Sequence, residues 1–203
     1  MTDNYTRIAQ KNLETLYSQL PGDLADNLPA AQEGSRFTFN AFGETCTIEP
    51  GGIRLGQGGF SPVLGIIISL YALNARPEPC IPEPFNAFKA FPGSMPYVGA
   101  FSTHTEHILI PHVPAIEKNI NRIRQALNGS HAPPDVSGDF AFVVYPLPKI
   151  ALCYIFYEAD DDFPASATCL FSNNAPLFLP LDALADVGEY TSKTIIELIE
   201  DES

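Results

Sequence analysis

Apolar positions near the start of the chain recur every three or four residues. Tyr5, Ile8, Ala9, Asn12, Leu13, Leu16, Tyr17 and Leu20 share one stripe, which predicts an amphipathic helix capped by Asp3 and stopped by Pro21-Gly22. Residues 22–34 carry no period and read as an irregular connection. In RFTFNAF (36–42) the period switches to two, with Phe37, Phe39 and Ala41 on one face. That predicts a half-buried strand, and a turn at Gly43-Glu44 leads into a partner strand in TCTIE. A glycine-rich loop with a short strand inside it follows (51–60). Ser61 then caps a helix with Pro62 at its first position, running to about Leu73. This helix is apolar nearly all round, so it belongs in the interior. ARPEPCIPEPF cannot be regular, because its prolines lack N–H donors and fix φ; an extended connection over the surface is expected.

Further on, residues 97–107 read as a short helix. Pro114 opens a second, in which Ile116, Ile120, Ile123 and Leu127 share a face, and Asn128-Gly129 ends it. DFAFVVY (139–145) and IALCYIFY (150–157) are apolar at nearly every position. Strands of that kind lie centrally in a sheet covered on both faces, by the chain itself or by a partner copy. Pro146-Leu147-Pro148 joins them tightly. ATCLF (167–171) is a third strand, and a helix broken at Gly188 runs from Leu181 to about Glu200. Helices and strands come in blocks, which favours α+β over a doubly wound fold. The expectation is one domain over 1–203. Its antiparallel or mixed sheet has the 139–157 hairpin at its centre, and about four or five helices pack around it.

Composition narrows the function classes. Net charge is −13, from 24 acidic and 11 basic residues, so phosphate backbones and anionic membrane surfaces are repelled. The N-terminus does not read as a signal peptide, and the longest apolar stretch, 63–73, is short of the ~20 residues that cross a bilayer. The cytoplasm is the default location. Cys46, Cys80, Cys153 and Cys169 form no C-x-x-C pair and read as reduced thiols, mostly buried, with Cys80 the most exposed and reactive.

The chemistry concentrates in YEADDDFP (157–164). If the hairpin turns around Leu147, Asp139 pairs near Ile155 or Phe156. Asp139 then shares one end of the sheet with Tyr157, Glu158, Asp160, Asp161 and Asp162, within about 10 Å at ~3.3 Å per residue. Asp139, Asp160 and Asp162 offer oxygen ligands for a divalent cation, Mg²⁺ or Ca²⁺, although the EF-hand pattern is missing. Crowded carboxylates raise one another's pKa. The plain alternative is a solvated loop. His104, Glu106, His107 and His112 form a second set with zinc-type donors but without the H-E-x-x-H arrangement. The loop G-Q-G-G-F-S-P before a capped helix has the character of an anion cradle, without a P-loop lysine.

Gly138-Asp139, Leu147-Pro148-Lys149, Asp161-Asp162-Phe163-Pro164 and Leu170-Phe171 together resemble an uncharacterised bacterial and archaeal family, domain of unknown function 3786. The likeness is specific over about 40 residues and loose over FNAFKAFPGS (85–94). The family commonly follows Leu-Phe with Asp, where this chain has Ser172. Its occurrence in anaerobes, beside iron–sulfur domains, implies a role near redox or corrinoid chemistry. Three functions fit the residues. The first is a non-catalytic accessory protein that binds a small molecule or a protein partner at the acidic rim. The second is a divalent-cation-dependent hydrolase using Asp139, Asp160 and Asp162. The third is a structural protein whose apolar sheet face is covered by a second copy, making a homo-oligomer. No nucleic-acid or membrane partner is expected.

Overall fold

The computed structural model describes residues 4–200, so the Asp3 cap lies outside it. Helix α1 (Asn4–Ser18) buries Ala9, Leu13 and Leu16, as its stripe requires. The stretch 22–34 is more ordered than its composition suggests. It holds a helical turn, α2 (Leu24–Asn27), and a short strand, β1 (Ala31–Glu33). Both are too short to carry a readable period. Strands β2 (Arg36–Ala41), β3 (Glu44–Glu49) and β4 (Gly52–Leu55) follow as an antiparallel meander in the order β1-β2-β3-β4. Helix α3 (Pro62–Leu73) begins where expected, with the Ser61 hydroxyl accepting from the Val63 N–H at 3.4 Å.

A second antiparallel sheet has the order β5-β9-β8-β7-β6: β5 (Asn86–Ala87), β6 (Ser130–His131), β7 (Phe140–Leu147), β8 (Ile150–Tyr157) and β9 (Ser166–Phe171). The single expected sheet is therefore two, and the apolar hairpin is the centre of the larger. Between β5 and β6 run α4 (Met95–Phe101), a π turn (Ser102–Glu106), a 3₁₀ segment (His107–His112) and α5 (Val113–Ala126). The last helix, α6 (Leu181–Glu200), is continuous through Gly188. The expected break is absent because the glycine is there for space. A Cβ at Gly188 would lie 2.6 Å from Phe101 Cε2 and 3.0 Å from the Thr105 side chain.

One core joins the two sheets. α3 lies between them: Tyr71 packs on Phe39 of β2 with ring centroids 6.0 Å apart, and its hydroxyl accepts from the Lys149 N–H at 3.1 Å. The Phe42 N–H donates to Pro146 O at 2.7 Å, tying the first meander to the end of β7. The fold is α+β. Among the described residues no helix is long and apolar enough to cross a membrane.

Candidate functional site

Alternation on the central hairpin determines what its two faces meet. Phe142, Val144, Leu152, Tyr154 and Phe156 point into the common core. The Tyr154 hydroxyl reaches α6 and pairs with Ser192 Oγ at 3.0 Å. The opposite positions, Val143, Ala151 and Cys153, form a separate cluster with Cys80, Phe85, Ala132, Val136, Tyr145, Ile155 and Leu170. The hairpin's second face thus takes its cover from the chain itself, through two irregular segments.

The proline-rich segment (75–85) is one of them. It is bound to the surface by side chains from the far ends of the strands. Lys149 Nζ donates to Arg76 O at 2.6 Å. Asn174 Nδ2 donates to Pro79 O at 2.8 Å, while its Oδ1 accepts from the Ile81 N–H at 2.8 Å. Cys80 is held half-buried there and is the most exposed of the four cysteines, as expected, although burial pushes its thiol pKa up. Burial pushes Cys46 to about 12 and Cys153 to about 11. Residues 132–137 form the second cover, and the Tyr157 hydroxyl donates to Ser137 O at 3.0 Å.

The two covers do not meet. Between them lies a groove of about 590 Å³ over β8 and β9, with Phe85, Val136, Ile155 and Leu170 as its apolar lining and Glu83 and Asp135 as its carboxylates. Ile155 and Tyr157 are two residues apart on β8, so both lie on this outer face. The pairings Cys153↔Leu170, Ile155↔Thr168 and Tyr157↔Ser166 carry the same face across β9. A cleft of about 430 Å³ lies at the open end, lined by Asp139, Tyr157, Glu158, Asp160, Phe163 and Ser166.

Asp139, Tyr157, Glu158 and Asp160 therefore share one cleft, while Asp161 and Asp162 are exposed on the loop beside it. The loop's shape comes from its own carboxylates. Asp139 Oδ2 accepts from the Glu158 N–H at 2.7 Å. Asp160 Oδ1 accepts from the N–H groups of Asp162 (2.9 Å) and Phe163 (2.7 Å), an Asx turn. With Asp139 and Asp160 engaged by main-chain donors, the Asp139, Asp160 and Asp162 cation set is not assembled. No group of three or more His, Cys, Asp or Glu among the described residues is placed to hold a metal ion. The turn presents Phe163 to solvent at 71% exposure, next to Tyr157 at 44%. Glu117 of α5, and more weakly Asp139, hold the Glu158 carboxyl above its ordinary range, so like charges crowd here.

The histidine set comes together only in part: Glu106 and His107 share the Ser102 hydroxyl, with Ser102 Oγ 3.3 Å from His107 Nε2. Glu106 turns to the sheet, where Oε1 accepts from the Cys169 N–H at 3.1 Å and Oε2 from Ser102 Oγ at 3.0 Å. That contact satisfies a donor on β9 beyond the two-residue reach of β5. His104 is exposed. Ser172, the departure from the family pattern, is buried at the opposite end of β9 from the acidic loop. Its Oγ accepts from the Ala151 N–H at 3.2 Å, so it bears on strand pairing and not on the acidic cluster.

The sequence pointed to the carboxylates and missed the trough beside them. Phe85 and Val136 belong to segments without periodicity, and nothing local says which strand they cover.

Fold and site together define an α+β protein with a partly covered sheet face that ends in an acidic rim. The chain belongs to the family described as Domain of unknown function (DUF3786), whose model matches residues 21–194. No curated protein and no solved structure matches it.

Proposed function

We propose that the protein is an accessory binding protein that docks an extended basic and apolar segment of a protein partner along this groove. The observation that supports the reading most is the shared face of Ile155 and Tyr157, which makes the apolar trough and the acidic cleft successive stations on one strand. An extended segment with apolar residues in one half and cationic residues in the other matches both. Its apolar side chains fill the space over Ile155 and Leu170, and its cations relieve the repulsion between Glu117, Glu158 and Asp139. The Asx turn fixes the rim before binding, which lowers the ordering entropy of association. Exposed aromatic residues beside charges are common anchors at such surfaces.

The probe is a fluorescent peptide of about nine residues, leucine-rich in one half and arginine-rich in the other, long enough to span ~30 Å. Anisotropy should show binding that weakens as salt rises, since the rim charges are exposed. Leu170→Asp and the Asp139→Asn/Glu158→Gln pair should each weaken it. Equal binding of a leucine–glutamate peptide, or indifference to Leu170→Asp, rejects the reading.

A further inference from the structure

The two covers on the outer sheet face are held in different ways. The proline-rich cover is pinned along its length. Besides the bonds from Lys149 and Asn174, the Asn173 N–H donates to Ile81 O at 2.8 Å and Asn173 Nδ2 to Pro84 O at 3.3 Å. The second cover is pinned only at its ends. On one side Ser130 pairs with Val143 and His131 with Phe142, and Gly129 lies so close to β7 that a Cβ there would be 2.5 Å from Val143 O. On the other side the Asp139 N–H bonds Phe156 O, and a Cβ at Gly138 would be 2.6 Å from Ile155 Cγ2.

Residues 132–137 bridge these two fixed points. Pro133 and Pro134 have no N–H to offer the sheet, and the Val136 N–H donates back to Pro133 O at 3.1 Å, closing a turn within the cover. Among the described residues, the Tyr157 hydroxyl is the one group outside the segment that hydrogen-bonds it, at Ser137 O. Apolar contact comes from Ala132 and Val136, two short side chains packed over Val143, Ala151 and Cys153. A segment with so few contacts opens at a lower free energy than the sheet beneath it. Tyr157 also lines the acidic cleft, while Val136 and Ser137 line the groove, so a single hydrogen bond joins the two spaces.

We propose that residues 132–137 are a lid over the groove, latched by Tyr157, which swings open between its two fixed ends while the proline-rich cover stays in place. A ligand group that takes the Tyr157 hydroxyl in the acidic cleft takes it from Ser137 O and so unlatches the lid. The lid is a property of the unliganded chain and stands apart from the peptide reading. Cys153 lies beneath it and serves as the probe. The test is alkylation by iodoacetamide of the full chain carrying Cys80→Ser, resolved by mass spectrometry, with the buried Cys46 and Cys169 reporting global unfolding. Tyr157→Phe removes the latch hydroxyl. It should speed modification of Cys153 by about two- to tenfold, the worth of one hydrogen bond, with a smaller change at Cys46 and Cys169. Amide exchange followed by NMR should rise by the same factor at Val136 and stay unchanged at Ile81, whose N–H bonds Asn174 in the pinned cover. A Cys153 rate indifferent to Tyr157→Phe, a rise matched at Cys46 and Cys169, or faster exchange at Ile81 as well each overturns the proposal.

Discussion

The two sheets bury their strands in different ways. In the meander, β2 places Phe37, Phe39 and Ala41 inward and leaves Arg36 and Asn40 in water, while β3 buries Cys46 and Ile48. Its second face needs no cover. In the larger sheet β8 is buried from Ile150 to Tyr154, on both faces, and only Tyr157 at its end is exposed. Its inner face meets helices. Its outer face meets two proline-containing segments that have no regular shape. Helices pack as continuous layers and leave little space, because ridges seat in grooves. Irregular segments lack that repeat, so where two of them flank a sheet a trough remains. The groove therefore sits on the more completely buried sheet.

The sharpest way to break this comparison is to place a charge at matched outward positions. Cys153→Asp, on the outer face of β8, should destabilise the fold by about 3–5 kcal/mol, because the carboxylate has no partner in its apolar cluster. Asn40→Asp on the meander should change stability by less than about 0.5 kcal/mol, as surface substitutions usually do. Urea denaturation of both variants decides it, and similar losses would mean that the two outer faces are equivalent.

A smaller effect tests the inner cover of the larger sheet. Gly188→Ala pushes a methyl group into Phe101 and Thr105, and overpacking of this sort costs about 1–3 kcal/mol. A thermal melt should show the loss; an unchanged melting temperature would mean that α6 yields easily there.

The smallest expected effect concerns the solvent side of α6. Burial, with Glu189 and Asp182 nearby, raises the Asp186 carboxyl from 3.8 to about 6, although Lys193 opposes the shift. The folded state then holds this proton more tightly than the unfolded chain. Stability from this group is greatest below about pH 4 and is lost as pH rises through about 6. Asp186→Asn should stabilise the protein at pH 7 by about 1 kcal/mol after allowance for solvent screening, with no gain at pH 4. Melting temperatures at the two pH values check the sign.

Much of this architecture was legible in the chain. The hairpin was, because two apolar runs joined by Pro146-Leu147-Pro148 leave little choice of partner. Asp139 N–H does donate to Phe156 O, at 2.9 Å, and the register brings residue 139 to the start of the acidic loop. The α3 cap and the Asn128 stop, at φ +52°, were also readable from local residue types. Gly188 misled because a glycine that permits a turn and one that permits close packing look alike in sequence. The acidic cluster looked like a ligand set for a similar reason: composition shows how many carboxylates there are, not which main-chain donors they already hold.

Local periodicity and turn chemistry are properties of neighbouring residues, so the sequence alone determined the longer elements, the hairpin pairing, the acidic rim and the buried placement of α3. The cover over the second sheet face is set by Lys149 and Asn174, which reach segments 73 and 95 residues away in the chain. Contacts at such separation have no local signature. Only the tertiary structure decided that the proline-rich stretch lies on the sheet and that a trough remains beside it.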